Sequence, residues 1–152
     1  MKEKLKNNML REIDAIARES HAIYEAKFRN HNLQRGQFLF LTRICETPGI
    51  SLKELSYELK MDKTTVTKAV KKLITAGYIN KEIDKIDKRI LHLNPTNKCL
   101  YIYNDIIFEK NRIINICLNN IDNEDYEIFN KVINAILENL NKEWEKVRVI
   151  KK

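Results

Sequence analysis

Glycine and proline are scarce, with three and two in 152 residues. That excludes glycine-rich phosphate cradles and long irregular loops, and it points to a mainly helical chain. Three cysteines occur (Cys45, Cys99 and Cys117) without a CxxC pair, which excludes a disulfide scaffold and the usual zinc ribbons. No apolar run approaches the ~20 residues a membrane helix needs, so no membrane partner is expected. The opening MKEKLKNNMLREID has no apolar stretch of the secretory-leader kind. A cytoplasmic location with reduced thiols is the expectation. There is no nucleophile elbow, Walker A motif or GxGxxG, and no suggestive His/acid spacing. No enzymatic activity and no cofactor are therefore expected. His21, His31 and His92 are scattered, with no His or Cys pair at i, i+3 or i, i+4. No metal site is expected, and each histidine reads as a surface or capping residue.

Apolar residues make up 43% of the chain, a globular proportion. Lysine and arginine number 28 against 21 acids, for a net charge of +7. That excess suggests a polyanionic partner. Asparagine is abundant, at 17 residues, but so are isoleucine at 21 and lysine at 20. All three have A/T-rich codons, so a coding bias explains the asparagines better than a prion-like tract does.

The spacing of Leu5, Met9, Ile13, Ile16, Ile23 and Phe28 predicts one long helix over the first thirty residues, ended by Asn30-His31-Asn32. A second helix is predicted over about 34–46, stopped by Thr47-Pro48-Gly49. Ser51 and Glu54 form a capping box that starts a third. Asp62 caps a fourth, about 63–76, ended by Ala76-Gly77. The short joint at Lys60-Met61 suggests helix-turn-helix. The period then changes. Tyr78, Ile79 and Ile83, then Arg89-Ile90-Leu91-His92-Leu93, read as two strands around a charged loop, a wing. Thr96 caps a fifth helix, about 97–118, and Asp122 a sixth, about 123–149. The sixth carries one apolar stripe: Tyr126, Phe129, Ile133, Ile136, Leu140, Trp144 and Val147.

The expected architecture is thus mainly α with a small β wing. A winged helix-turn-helix domain at 32–94 is flanked by an N-terminal helix at 1–31 and C-terminal helices at 95–152. The long outer helices have too little of their own chain to cover, so a homodimer built from both chain ends is expected.

On a helical wheel Val66, Val70, Leu73 and Ile74 share one side of the fourth helix and should be core. Thr64, Lys68, Lys71 and Thr75 fall opposite, with Thr65 and Lys72 on the flank. Between 60 and 72 there are five lysines against one acid. Short hydroxyl side chains at the start would let the backbone approach base edges, and lysines further along can meet phosphates. Asp87-Lys88-Arg89 follows on the wing. An arginine there can enter a narrow minor groove, held by a bidentate pair with the aspartate. Taken singly, the lysine face could be an ordinary solvated surface and the wing an ordinary charged turn.

Residues from about 33 to 99 resemble the MarR family of winged helix-turn-helix regulators. The stretches that carry the resemblance are Leu33-x-x-x-Gln37-Phe38, Pro48 to Leu55, Met61 to Leu73, Ala76-Gly77-Tyr78-Ile79 and Asp87-Lys88-Arg89. Two positions depart from the family pattern: Cys99 replaces a glycine after the wing, and Gln34 stands where a threonine cap is common. The resemblance implies a homodimer on double-stranded DNA at a pseudo-palindromic operator, usually as a repressor. Lys63, Thr64, Thr65, Thr67, Lys68, Lys71, Lys72, Asp87 and Arg89 are the DNA-binding residues it implies. Thr64, Thr65 and Lys68 would lie near bases, Thr67, Lys71 and Lys72 near the backbone, and Arg89 in the minor groove. It also implies control by a small aromatic or phenolic effector. A peroxide-sensing branch carries its reactive cysteine in the first helix, where this chain has none. Cys45 and Cys117 read as inert thiols in apolar helices, and Cys99, near a helix start, is the residue a redox role would use.

The competing reading is a winged-helix protein-interaction module or antirepressor without specific DNA binding. Such modules bury apolar surface where this face carries lysine. A membrane-surface or RNA binder would use the same charge without preferring a duplex sequence.

Overall fold

The computed structural model describes residues 3–31, 33 and 36–150, apart from the side chains of 149 and 150. In chain order the elements are α1 (Met9–Lys27), a 3₁₀ turn (Arg29–His31), α2 (Gln37–Glu46), β1 (Ile50–Ser51), α3 (Leu52–Glu58) and α4 (Lys63–Thr75). Then follow β2 (Ile79–Ile83), β3 (Leu91–Pro95), α5 (Asn97–Cys117) and α6 (Asn123–Ile150). The chain falls into two compact units, one up to Asn111 and one from Arg112 on.

In the first unit, α4 packs against α2 and α3. Leu41, Ile44, Leu55, Val66, Leu73, Tyr78, Ile79, Leu93, Ile102 and Ile106 are fully buried there. Burying a side chain of this kind stabilises by about 1.5–3 kcal/mol. The predicted core face of α4 is the observed one, with Ile74 only half-buried. The sheet is antiparallel with β3 in the middle, ordered β1-β3-β2. Ile50 pairs with Leu93 and Ser51 with His92 on one side, and Ile79 to Ile83 pair with Pro95 to Leu91 on the other. Pro95 ends β3 beyond the last pairing with β1, where its missing N–H is not needed. Tyr78 donates its hydroxyl to the His31 carbonyl at 2.7 Å, tying the 3₁₀ turn to the foot of the wing.

The second unit holds the end of α5, a turn and α6. Asn120 takes the left-handed conformation (φ 62°) in that turn, and Asp122 accepts the Asp125 N–H at 2.8 Å to start α6. At 28 residues α6 is about 42 Å long. None of its described side chains is buried. No helix among the described residues is long and apolar enough to cross a membrane.

Four expectations change. The first helix starts at Met9, where Asn7 Oδ1 accepts the Met9 N–H at 3.1 Å, and Leu5 ahead of it is 61% exposed. Residues 1, 2 and 32 of that expectation lie outside the described residues. The second helix starts at Gln37 behind Gly36 (φ 84°), and its predicted start at 34 and 35 likewise lies outside them. Ile50–Ser51 forms a third strand, where Ser51 was read only as the start of the third helix, which it also caps. Arg89 and Ile90 belong to the wing tip and not to a strand, and β3 instead runs on through Asn94-Pro95.

Candidate nucleic-acid interface

The helix-turn-helix is fastened at both starts. At α3, Ser51 Oγ accepts the Glu54 N–H at 3.2 Å and Glu54 Oε2 accepts the Ser51 N–H at 2.8 Å. The Ser51 hydroxyl, which donates to Glu54 Oε2 at 2.7 Å, and then the Ser51 N–H hold the Glu54 carboxyl below its usual value. The joint turns on Lys60, a non-glycine residue at φ 54°, and the Ser56 hydroxyl donates to the Met61 carbonyl at 2.6 Å. At α4, Asp62 accepts the Thr65 hydroxyl at 2.6 Å and the Thr65 N–H at 2.8 Å, which lowers the Asp62 pKa. An ionised aspartate at a helix start also suits the helix dipole.

Lys63, Thr64, Thr65, Thr67, Lys68, Lys71 and Lys72 are all exposed along α4. Their hydroxyls are not equivalent. Thr65 spends its hydroxyl on Asp62, and Thr67 donates to the Lys63 carbonyl at 2.7 Å. The Thr64 hydroxyl has no partner among the described residues, and neither do the ammonium groups of Lys63, Lys68 and Lys71. The face is therefore cationic, with one uncommitted hydroxyl near its start.

The wing tip is a knot of carboxylate bonds. Asp84 Oδ1 accepts the N–H groups of Ile86 and Asp87, each at 2.8 Å. The loop closes through Asp84 N–H to Ile90 O at 3.0 Å and Ile90 N–H to Asp87 O at 2.9 Å. Asp87 then grips Arg89 by both oxygens: Nε to Oδ1 and Nη2 to Oδ2, both 2.9 Å. This is the bidentate pair expected from the sequence. It holds the Asp87 carboxyl below its usual value. The Arg89 side chain is nonetheless 91% exposed, so its geometry is set while its charge faces outward.

Sequence reasoning missed His92. Its Nε2 faces Asp84 Oδ2 at 2.8 Å and its Nδ1 faces the Gly49 carbonyl at 2.7 Å. The residue therefore staples the wing tip to the turn before β1. Asp84, bonded by His92 and by two backbone N–H groups, falls to a pKa of about 2, while the His92 pKa rises. The signal was available in the hairpin register. His92 stands opposite Glu82, so Asp84 is its diagonal neighbour on the same face. Cys117 is exposed and not an apolar contact, and Cys45 lies against Cys99.

The MarR family model matches residues 33–91. A helix-turn-helix transcriptional regulator of Bacillus subtilis, YybA, is 35% identical, over 93% of this chain and 95% of its own. A MarR protein from Peptoclostridium difficile superposes with a TM-score of 0.91 at 47% identity, covering 97% of this chain and 96% of that one. A MarR family transcriptional regulator from Listeria monocytogenes, solved with a 26-mer DNA, gives 0.85 at 33% identity, covering 97% and 95%. These relatives are regulators of transcription and not enzymes.

Proposed function

The chain belongs to the MarR family of winged helix-turn-helix transcriptional regulators, and from that premise we propose that it binds double-stranded DNA sequence-specifically as a homodimer and represses transcription. The observation that carries the proposal is the exposed cationic face of α4 together with an exposed arginine locked at the wing tip. Thr64 and Lys68, with the Thr65 methyl, reach base edges in the major groove. Lys63, Lys71, Lys72 and the backbone around Thr67 meet phosphates. Arg89, aimed by Asp87, enters the minor groove. The likeness to the Listeria regulator solved on DNA supports this reading.

Residues 32–94 form the DNA-reading part, and 1–31 with 95–152 the dimer interface. The apolar surface left on the outer helices supports the second copy. Leu10 and Ile16 on α1 are about 60% exposed, and Ile128, Phe129, Val132, Leu137 and Leu140 on α6 are 50% exposed or more. A lone chain rarely leaves so much apolar surface in water. Against the protein-interaction alternative, α4 offers no exposed large apolar side chain. A small aromatic or phenolic effector that releases the DNA completes the proposal.

Selection from a random duplex pool by the purified protein tests it. The expected product is an inverted repeat with half-sites about one helical turn, ~10 base pairs, apart. Recovery of no common sequence, with binding that tracks salt alone, would refute it.

A further inference from the structure

Cys45 on α2 and Cys99 in the first turn of α5 lie 54 residues apart in sequence, yet their Sγ atoms are 3.3 Å apart. The two thiols differ in setting. Cys99 has no solvent exposure at all, whereas Cys45 is partly exposed. Either sulfur can donate to the other; when the buried Cys99 S–H is the donor, negative charge is favoured on the sulfur that solvent can reach. The Cys45 pKa falls accordingly and the Cys99 pKa rises. Glu46 beside Cys45 opposes the first shift without cancelling it. A thiolate is the form that attacks an oxidant, and access decides which thiol does so. A disulfide needs about 2.05 Å between sulfurs, so closure brings these two only a little over 1 Å nearer.

We propose that Cys45 and Cys99 form an oxidisable dithiol that reacts with hydroperoxides. The Cys45 thiolate attacks the terminal peroxide oxygen, the O–O bond breaks, and the alkoxide or hydroxide leaves and takes up a proton. Cys45 becomes a sulfenic acid. The Cys99 sulfur then displaces that hydroxyl, which leaves as water with the thiol proton. The sum is two thiols and one hydroperoxide to one disulfide, one alcohol or water, and one water. The bond would tie α2 to the start of α5. There Thr96 accepts the Cys99 N–H and donates toward the Gly77 and Tyr78 carbonyls just past α4. The site does not depend on the DNA-binding proposal.

The test is stoichiometric hydrogen peroxide added to the reduced full chain carrying Cys117→Ser, an exposed position, with thiol titration and peptide mass mapping. The expected result is loss of both thiols, a mass lower by two hydrogens, and a linked peptide pair holding Cys45 and Cys99, reversed by dithiothreitol. In Cys45→Ser, Cys99 oxidation slows by roughly tenfold or more. In Cys99→Ser, Cys45 stops at a sulfenic acid that dimedone traps. Two thiols that persist in peroxide sufficient to oxidise free cysteine would overturn the proposal. So would a linkage only between chains, or unchanged Cys99 oxidation in Cys45→Ser. The result on the Cys117→Ser chain stands even if a core variant does not fold.

Discussion

A neutral imidazole can donate one hydrogen bond, but His92 faces an acceptor at each ring nitrogen, Asp84 at one and the Gly49 carbonyl at the other. Only the imidazolium satisfies both, and Glu54 on α3 adds a further favourable charge. A raised histidine pKa means that its stabilisation is complete below the ordinary value of 6.5 and fades as pH climbs through the raised one. Asp84 works in the opposite sense. Its share is present above 3.8 and is lost only as pH falls through about 2. The staple is therefore complete between roughly pH 4 and 6.5 and weakens as pH rises through the raised His92 value. Thermal unfolding followed across pH 6–9 should show this decline in the wild type and a flatter profile in His92→Gln. Identical profiles would show that the staple contributes nothing. Arg89→Ala should weaken binding to the selected duplex by about 5- to 150-fold with no loss of fold. Lys72→Ala should weaken all duplexes alike and flatten the salt slope by about one unit. A change of base preference in Lys72→Ala would contradict its place on the backbone.

At the scale of elements, α3 and α4 stand on their caps and their shared core. Ser51→Ala removes one side of the capping box and should cost about 1 kcal/mol in denaturant unfolding. Leu73→Ala, deep between α4 and its neighbours, should cost about 2–5 kcal/mol. These elements were legible because their signals are local: a cap, a period and a glycine stop. The wing hairpin was legible as a change of period, and the Asp87–Arg89 pair as residues two apart. Other features depend on partners distant in sequence. A two-residue strand such as β1 carries no period, and only β3, forty residues on, makes it a strand. The strand start slipped from Arg89 to Leu91 because Asp84 and Asp87 draw the intervening N–H groups into the tip. The first helix was read too long because its apolar spacing continues through Leu5. Spacing alone does not register that Asn7 bonds the backbone and ends the ladder. The Cys45–Cys99 contact spans two helices, and no local pattern announces it.

For the whole molecule, the exposed apolar side chains of the outer helices are the surface that we propose a second copy covers. Replacing Leu137 and Leu140 by glutamate should turn the dimer we propose into a monomer in sedimentation without reducing helical content. Mass unchanged from wild type would remove α6 from that interface. In the dimer we propose, specificity gains its reach from two chains, since each α4 would read one half-site and the pair would have to match their spacing. In the function we propose, the α4 face and the Arg89 wing read a DNA sequence. An equilibrium titration of the purified chain on its selected duplex tests this most directly. A scrambled duplex of equal length runs beside it at ~0.15 M salt. The expected Kd is ~10⁻⁸–10⁻¹¹ M on the selected duplex, at least ~10³-fold tighter than on the scramble. Equal affinity for both would contradict it and reduce the lysine face to a general polyanion surface.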